Sequence, residues 1–358
     1  MNIFLTGATG FLGEYLLQQL LARGHRVWAL YRNEAKKEKT EQFLARQDLF
    51  PHPGLNWVKG DVIALDQSWP LWEKELPSLE KVNHILHNAA SLRFKSNAEG
   101  EPRRTNLEGS KALWRLTRQR PMQVHLISTA YVCGLIPEGT LYEVNHPRGQ
   151  FASAYDESKW EAEQIWTGQA TILRPGVIVG DSRTGRCSSF TGWYIIAKGG
   201  YLMDQFLKAA PEYDRQDLQI QVPMNPQATL NLIPVDYVAE AVVRLIENPA
   251  HFNRIFHLTH PQPPTHEWSH QVLCRRFQLG GIRFVDPGQT VSKPNDPIKQ
   301  MIWDQVHRMY AYFNNNPAFD RRHTDQALPD LPLPTINETL INKLLDYAIA
   351  QDWGQKKG

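Results

Sequence analysis

The stretch Asn2-Ile3-Phe4-Leu5-Thr6-Gly7-Ala8-Thr9-Gly10-Phe11-Leu12-Gly13 decides the fold. A short apolar run enters a turn with glycines at 7, 10 and 13, and an amphipathic segment, Glu14 to Arg23, leaves it. Leu12, Leu16 and Leu20 recur every fourth residue, the spacing of one helix face. The order is strand, phosphate loop, helix. Gly7 permits a tight turn, Gly10 leaves room for a pyrophosphate, and Gly13 lets the helix lie against the sheet. Free N–H groups at the helix start then face an anion. A glycine triplet alone is a weak signal, but a strand before it and a helix after it are the context a dinucleotide loop requires. Gly7, Thr9, Gly10, Phe11, Leu12 and Gly13 are therefore candidate cofactor-binding residues.

Working outward, strand-like runs follow at Arg26–Tyr31, 55–58 (leading into Lys59-Gly60-Asp61), 84–90, 124–130 and 171–179, with helical segments near 36–48, 101–119 and 154–166. Strands alternating with helices predict an α/β fold, a doubly wound parallel sheet of the Rossmann type covered on both faces. After Gly180 the pattern loosens. An aromatic-rich helix is expected over 190–206, a strong helix over 235–246, a short strand over 255–259, and a final helix over 337–351. Ile302, Val306, Met309 and Phe313 carry an apolar stripe at helical spacing. The expected division is a nucleotide-binding domain over 1–180 and a smaller, mostly substrate-binding part over 181–358, with some later segments returning to the first.

Composition narrows the function. With 42% hydrophobic and 21% charged residues the chain can bury a large core. A net charge of +2 argues against nucleic acid as the main partner, and Lys36-Lys37-Glu38-Lys39 reads as a solvated helix face. Cys133, Cys187 and Cys274 form neither a disulfide framework nor a C-x-x-C site, so a reducing cytoplasm is the expected location. The first strand begins at residue 2, so no signal peptide is expected, and no apolar run is long enough for a membrane span.

Two further clusters carry chemistry. The second strand ends Leu30-Tyr31-Arg32-Asn33, with a cation where an NAD-preferring site places an acid for the ribose hydroxyl. Arg32 suits a 2′-phosphate and points to NADP(H). Tyr155 and Lys159 are four apart on a predicted helix and share a face. A nearby ammonium is expected to lower the phenol pKa and to make Tyr155 a general acid or base at a carbonyl or alcohol oxygen. Ser128-Thr129 lies at the C-terminal end of the fifth strand, the sheet edge where ligands bind.

With these residues assembled, the sequence resembles the extended short-chain dehydrogenase/reductase superfamily over roughly residues 1–260. The resemblance rests on the glycine loop, Gly60-Asp61-Val62, His87-Asn88-Ala89-Ala90, Asn106-Leu107-Glu108-Gly109, Ser128 to Gly134, the Tyr155/Lys159 pair and Arg174-Pro175-Gly176. His87 to Phe94, Tyr155 to Glu163 and Arg174 to Gly185 are similar to the fatty acyl reductase and thioester reductase branch. The resemblance implies that Thr129 bonds the substrate carbonyl, Tyr155 donates the proton, and Lys159 holds the nicotinamide ribose. It implies that Asp61 and Val62 meet the adenine, that Asn88, Ala89 and Ala90 line the cofactor, and that Pro175, Gly176 and Val177 touch the nicotinamide amide. Asn106 is implied as a catalytic relay or as a structural asparagine. The implied reaction is NADPH-dependent reduction of an acyl thioester, on CoA or an acyl carrier protein, to aldehyde or alcohol. Sugar epimerase or dehydratase chemistry, ketone reduction, and a non-catalytic nucleotide-binding role are the alternatives.

One motif competes. His266-Glu267-Trp268-Ser269-His270 fits H-E-x-x-H, a zinc hydrolase signature. No glutamate lies between Glu267 and Glu338 to complete the ligand set, so no metal site is expected. The aromatics Trp193, Tyr194, Tyr201, Phe206, Trp303, Tyr310, Tyr312 and Phe313 read first as core, with an acyl-channel wall as the alternative.

Overall fold

The computed structural model describes residues 1–289, 291, 296, 299–300, 303 and 311–354. The chain opens with β1 (Asn2–Thr6), α1 (Phe11–Ala22), β2 (Arg26–Tyr31), α2 (Glu34–Ala45), β3 (Leu55–Lys59), α3 (Leu65–Glu75) and β4 (His84–His87). It continues with α4 (Gly109–Gln119), β5 (Gln123–Ile127), β6 (Gly139–Leu141), α5 (Ala154–Ile165), β7 (Ala170–Pro175) and β8 (Val177–Val179). Then come α6 (Trp193–Ala209), β9 (Ile220–Pro223), β10 (Leu232–Pro234), α7 (Val235–Glu247) and β11 (Ile255–Leu258). Last are α8 (His266–Phe277), β12 (Ile282–Val285), β13 (Pro317–Phe319), α9 (Arg322–Ala327) and α10 (Glu338–Ala350).

Seven strands form one parallel sheet in the order β11-β7-β5-β4-β1-β2-β3. The order reverses between β1 and β4, which places the crevice of a doubly wound sheet there. Strands buried on both faces need helices on both, and both are present. One face packs α1 and α7 through Leu16, Leu20, Val238 and Val242. The other packs α3 and α4 through Trp69, Trp72, Leu113 and Leu116. A third cluster, with α6, α8 and α10, makes a separate core for the later chain. α7 and β11 rejoin the large sheet, β11 pairing β7 in register Ile255 to Ile172.

Three expectations change. The run 171–179 is two strands. At Gly176 the chain leaves the large sheet, because the Asn231 carbonyl lies where a side chain would stand (2.5 Å from a built Cβ), and β8 pairs β10 instead. The run 84–90 ends as a strand at His87, and 124–130 ends at Ile127, after which Ala130–Cys133 coil into a short 3₁₀ turn. Helix α3 was hidden from the hydrophobic pattern by Pro70 within it; Trp69 and Trp72 hold it against Phe4. The stripe residues Ile302, Val306 and Met309, and also Tyr310, lie outside the described residues.

Candidate active site

The glycine loop is shaped by close approach. Gly7 has φ +67°, and a Cβ there would sit 2.6 Å from the Ala89 amide nitrogen. At Gly13 a Cβ would sit 2.1 Å from the Gly7 carbonyl, so helix α1 can start only over a glycine. Gly10 N–H donates to that same Gly7 carbonyl at 3.1 Å, and Gly10 caps α1 without a side-chain bond. The loop is tied to the end of β4. Asn88 Nδ2 donates to the Gly7 carbonyl (3.1 Å), and the Asn88 and Ala89 amides donate to Thr6 Oγ1 (3.2 and 3.1 Å). Thr6 Oγ1 in turn faces His87 Nδ1 at 2.8 Å; burial holds His87 down to about 3, so its ring is neutral.

A cavity of about 650 Å³ runs from this loop along the C-terminal ends of the strands. That is within the usual size of a cofactor or substrate site. Its wall includes Gly7, Thr9, Gly10, Phe11 and Leu12 from the loop, Arg32 and Val62 at one end, and Asn88, Ala89 and Ala90. It also includes Thr129, Tyr155 and Lys159, and Pro175, Gly176 and Val177. A glycine cradle that a Cβ would fill and the uncapped start of α1 suit a dinucleotide pyrophosphate. Ser128 Oγ, buried on the same wall, has no partner among the described residues, which leaves a hydroxyl free for a ligand. The residues present therefore fit a nicotinamide dinucleotide.

Other predicted residues stand behind the wall. Gly13 supports the loop. Asp61 caps the turn after β3 through the Ile63 amide and pairs with Arg32 at 3.3 Å. Asn106 sits in a short π turn, 104–108; its Oδ1 accepts from the Ser91 amide (2.8 Å) and its Nδ2 donates to the Ser91 carbonyl (3.1 Å) and Ser158 Oγ (2.8 Å). Those bonds give it a bracing place between the segment after β4 and the helix that carries Tyr155.

The electrostatics differ from the expectation at Tyr155. Burial, and then the Asp156 carboxylate, push its phenol above the ordinary value. Lys159 does not offset this: its Nζ donates to the Ile127 carbonyl at 2.5 Å, and burial lowers its own pKa to about 8. The Tyr155 phenol is thus protonated and neutral. Thr129 caps the turn after β5, its Oγ1 accepting from the Tyr131 amide at 3.3 Å.

Sequence reasoning missed one pair of cavity residues and one contact. Lys36 and Lys39 line the cavity beside Arg32, whereas Lys37 pairs with Glu34 at 2.7 Å, so only part of that basic block is a plain solvated face. Their i, i+3 spacing after Arg32 was the available signal. Tyr312 also lines the cavity, and its hydroxyl donates to Asp156 at 2.5 Å. Nothing in the local sequence marks a tyrosine 156 residues away as a neighbour of that helix. Trp193 and Phe313 line the wall too, while Tyr194 is core and Phe206 is exposed.

The H-E-x-x-H stretch opens α8, with Thr265 as N-cap. Among the described residues no group of three potential ligands could hold a metal. All three cysteines are free, and burial raises Cys133 to about 12 and Cys187 and Cys274 to about 11, so none is a ready thiolate.

The male sterility protein family matches residues 5–242. The chain belongs to that family. With it comes membership of the extended short-chain dehydrogenase/reductase superfamily, in its thioester reductase-like branch, and an oxidoreductase fold built to bind a nicotinamide dinucleotide. Among relatives, the chain is 30% identical to the nonribosomal peptide synthetase asaC of Aspergillus flavus, over 92% of this chain and 34% of that protein. It is 23% identical to the aldehyde reductase lnaA of Aspergillus flavus, over 97% of this chain and 36% of the relative. The chain spans about a third of the length of the first such relatives. Among solved structures, the terminal R domain of the myxalamid PKS-NRPS pathway superposes with a TM-score of 0.76 at 26% identity, covering 98% of this chain and 91% of that domain. A UDP-glucose 4-epimerase of Thermotoga maritima shares the fold at TM-score 0.65 and 14% identity, over 98% and 99% of the two chains. No helix among the described residues is long and apolar enough to cross a membrane.

Proposed function

We propose that the chain is an NADPH-dependent reductase of acyl thioesters presented on CoA or an acyl carrier protein. The observation that carries this reading is one cavity wall holding Thr129, Tyr155 and Lys159 between the glycine loop and the aromatics Trp193 and Phe313. Similarity to the terminal R domain of a PKS-NRPS pathway supports the thioester.

In this reading Arg32, Lys36 and Lys39 hold the 2′-phosphate, the loop holds the pyrophosphate, and Lys159 holds the nicotinamide ribose. NADPH, when bound there, supplies the hydride. The Thr129 hydroxyl donates to the carbonyl oxygen and fixes its direction. Tyr155 gives its proton to that oxygen as the carbonyl carbon is reduced, which yields a hemithioacetal. The tyrosinate takes the hydroxyl proton back, the C–S bond breaks, and the thiolate takes a proton from solvent. The products are aldehyde, free thiol and NADP⁺ for one NADPH and one proton. Asn106 acts as a positioning residue through Ser158, and Tyr312 through Asp156.

The test is NADPH consumption with acyl-CoA, with free thiol measured in parallel. One thiol should appear per NADPH oxidised. Turnover of a nucleotide sugar without thiol release would reject the reading in favour of epimerase chemistry. Arg32→Ala should raise KM for NADPH about tenfold, the weight of one charge-assisted hydrogen bond at an exposed site, and leave KM for NADH unchanged. Equal effects on both would remove the 2′-phosphate assignment.

A further inference from the structure

A second chamber of about 100 Å³ adjoins the main cavity and shares Trp193, Ile196, Leu230, His266 and Phe313 with it. Apolar residues from four elements line much of the rest: Met203 on α6, Val222 on β9, Leu273 on α8 and Phe284 on β12. Polar side chains on the wall pair with one another, except His266 Nε2, which has no partner among the described residues. Trp193 Nε1 donates to Ser269 Oγ at 3.1 Å, and His270 Nε2 lies 3.4 Å from Cys274 Sγ. At the junction, His266 packs edge-on against Phe313, and burial lowers its pKa to about 4, so it places no charge at the mouth.

Helix α6 carries Gly199 and Gly200 on this wall. Glycine inside a helix is destabilising, so a pair of them calls for a packing reason. At Gly200 a Cβ would stand 3.1 Å from the Phe277 ring, so the glycine lets α6 close on α8 around the chamber.

We propose that this chamber receives the alkyl end of the acyl substrate and sets its length. The proposal rests on the thioester reading and deepens it. A largely apolar recess gains from alkyl surface and disfavours a charged group, which meets no counter-charge on this wall. Its size sets a limit. A cavity of ~150 Å³ holds benzene and a water's share of liquid is ~30 Å³, so this chamber takes roughly three methylene-sized groups. A chain that reaches it with more than that must stop short or clash.

A straight-chain acyl-CoA series from acetyl to dodecanoyl, assayed by NADPH consumption, tests this. The specificity constant kcat/KM should rise about tenfold for each methylene that enters the chamber, then fall sharply once it is full. Phe284→Ala should move the optimum to longer chains, and Val222→Phe to shorter ones. Opposite shifts cannot come from misfolding, and retained NADPH binding checks each variant. A flat profile, or an optimum that neither variant moves, overturns the chamber and leaves the reductase reading standing. Reduction of no acyl-CoA and no acyl carrier protein thioester at any length, with NADPH still bound, overturns both.

Discussion

The two halves of the candidate site are built from different materials. The nucleotide side is largely backbone: glycines at 7, 10 and 13, amides at the start of α1, and the Asn88 and Ala89 amides tied to the Thr6 hydroxyl, with the Asn88 side chain donating to the Gly7 carbonyl. The substrate side is side chains: Trp193, His266, Tyr312 and Phe313 converge from three separate segments of the later chain. A backbone wall tolerates no added atom, because a Cβ within 3 Å of another main chain has nowhere to go. A side-chain wall can change size and still pack, since apolar swaps of similar volume are tolerated in cores. The cofactor end should therefore break under small substitutions, and the substrate end should retune.

Four measurements break or sharpen this contrast. The largest effect is expected where the two halves meet. Tyr155→Phe removes the proton donor and should lower kcat by about 10²–10⁴-fold, the usual weight of general acid catalysis, with NADPH binding nearly unchanged. Loss of binding would mean that Tyr155 belongs to the nucleotide wall instead.

Next is the joint that holds α5, the helix of Tyr155 and Lys159, to the sheet. Arg174 on β7 and Glu163 on α5 form a fully buried two-point pair (3.1 and 2.7 Å), and Arg174 also donates to the Val144 carbonyl. Glu163→Ala leaves a buried guanidinium without its counter-charge and should cost about 3–5 kcal/mol of stability in denaturant unfolding. A change under about 1 kcal/mol would show that the joint relaxes.

Gly7→Ala follows. The added methyl meets Ala89 at 2.6 Å with φ at +67°, a combination that should cost about 1–3 kcal/mol and weaken NADPH binding with it. A methyl-sized change on the substrate side, Leu230→Val, should leave NADPH binding as it was. Similar losses of NADPH binding in both would erase the distinction between the walls.

The same contrast explains what was legible in the sequence. The glycine spacing, β1 to α1, the Tyr155/Lys159 pair and α7 were readable because each is a local pattern that one element must satisfy. Gly176 was readable as a motif, yet the strand break it causes was not, since that depends on Asn231 arriving from a distant loop. Helix α3 was lost because Pro70 interrupts a pattern that tertiary burial of Trp69 and Trp72 restores. The contact of Tyr312 with Asp156 and the second chamber were illegible for the same reason: aromatic residues at helical spacing say that something is buried, and only packing says what they enclose. The phenol of Tyr155 was misjudged because spacing places Lys159 on its face but does not show that the ammonium is engaged by Ile127.

That last point separates catalysis from stability by pH. Lys159 titrates near 8 in the fold, lowered by burial with Glu163 opposing, against about 10.4 in an unfolded chain. Below 8 the ammonium is present, and above it the charge at the site is lost, so kcat/KM should fall about tenfold per unit above that point. The phenol of Tyr155, raised further by burial and Asp156, stays protonated through the same range and cannot set this limb. Stability should move the other way. Between about 8 and 10.4 the unfolded chain binds the proton that the fold has released, so Lys159 contributes increasing stability as pH rises across that window. Activity that declines while the Lys159 contribution to stability grows is loss of an ammonium, not loss of the fold. A pH–rate profile beside urea unfolding at each pH decides it. An activity limb that sits near 10 would return the titration to Tyr155, and a limb that tracks unfolding would take the ammonium out of the mechanism.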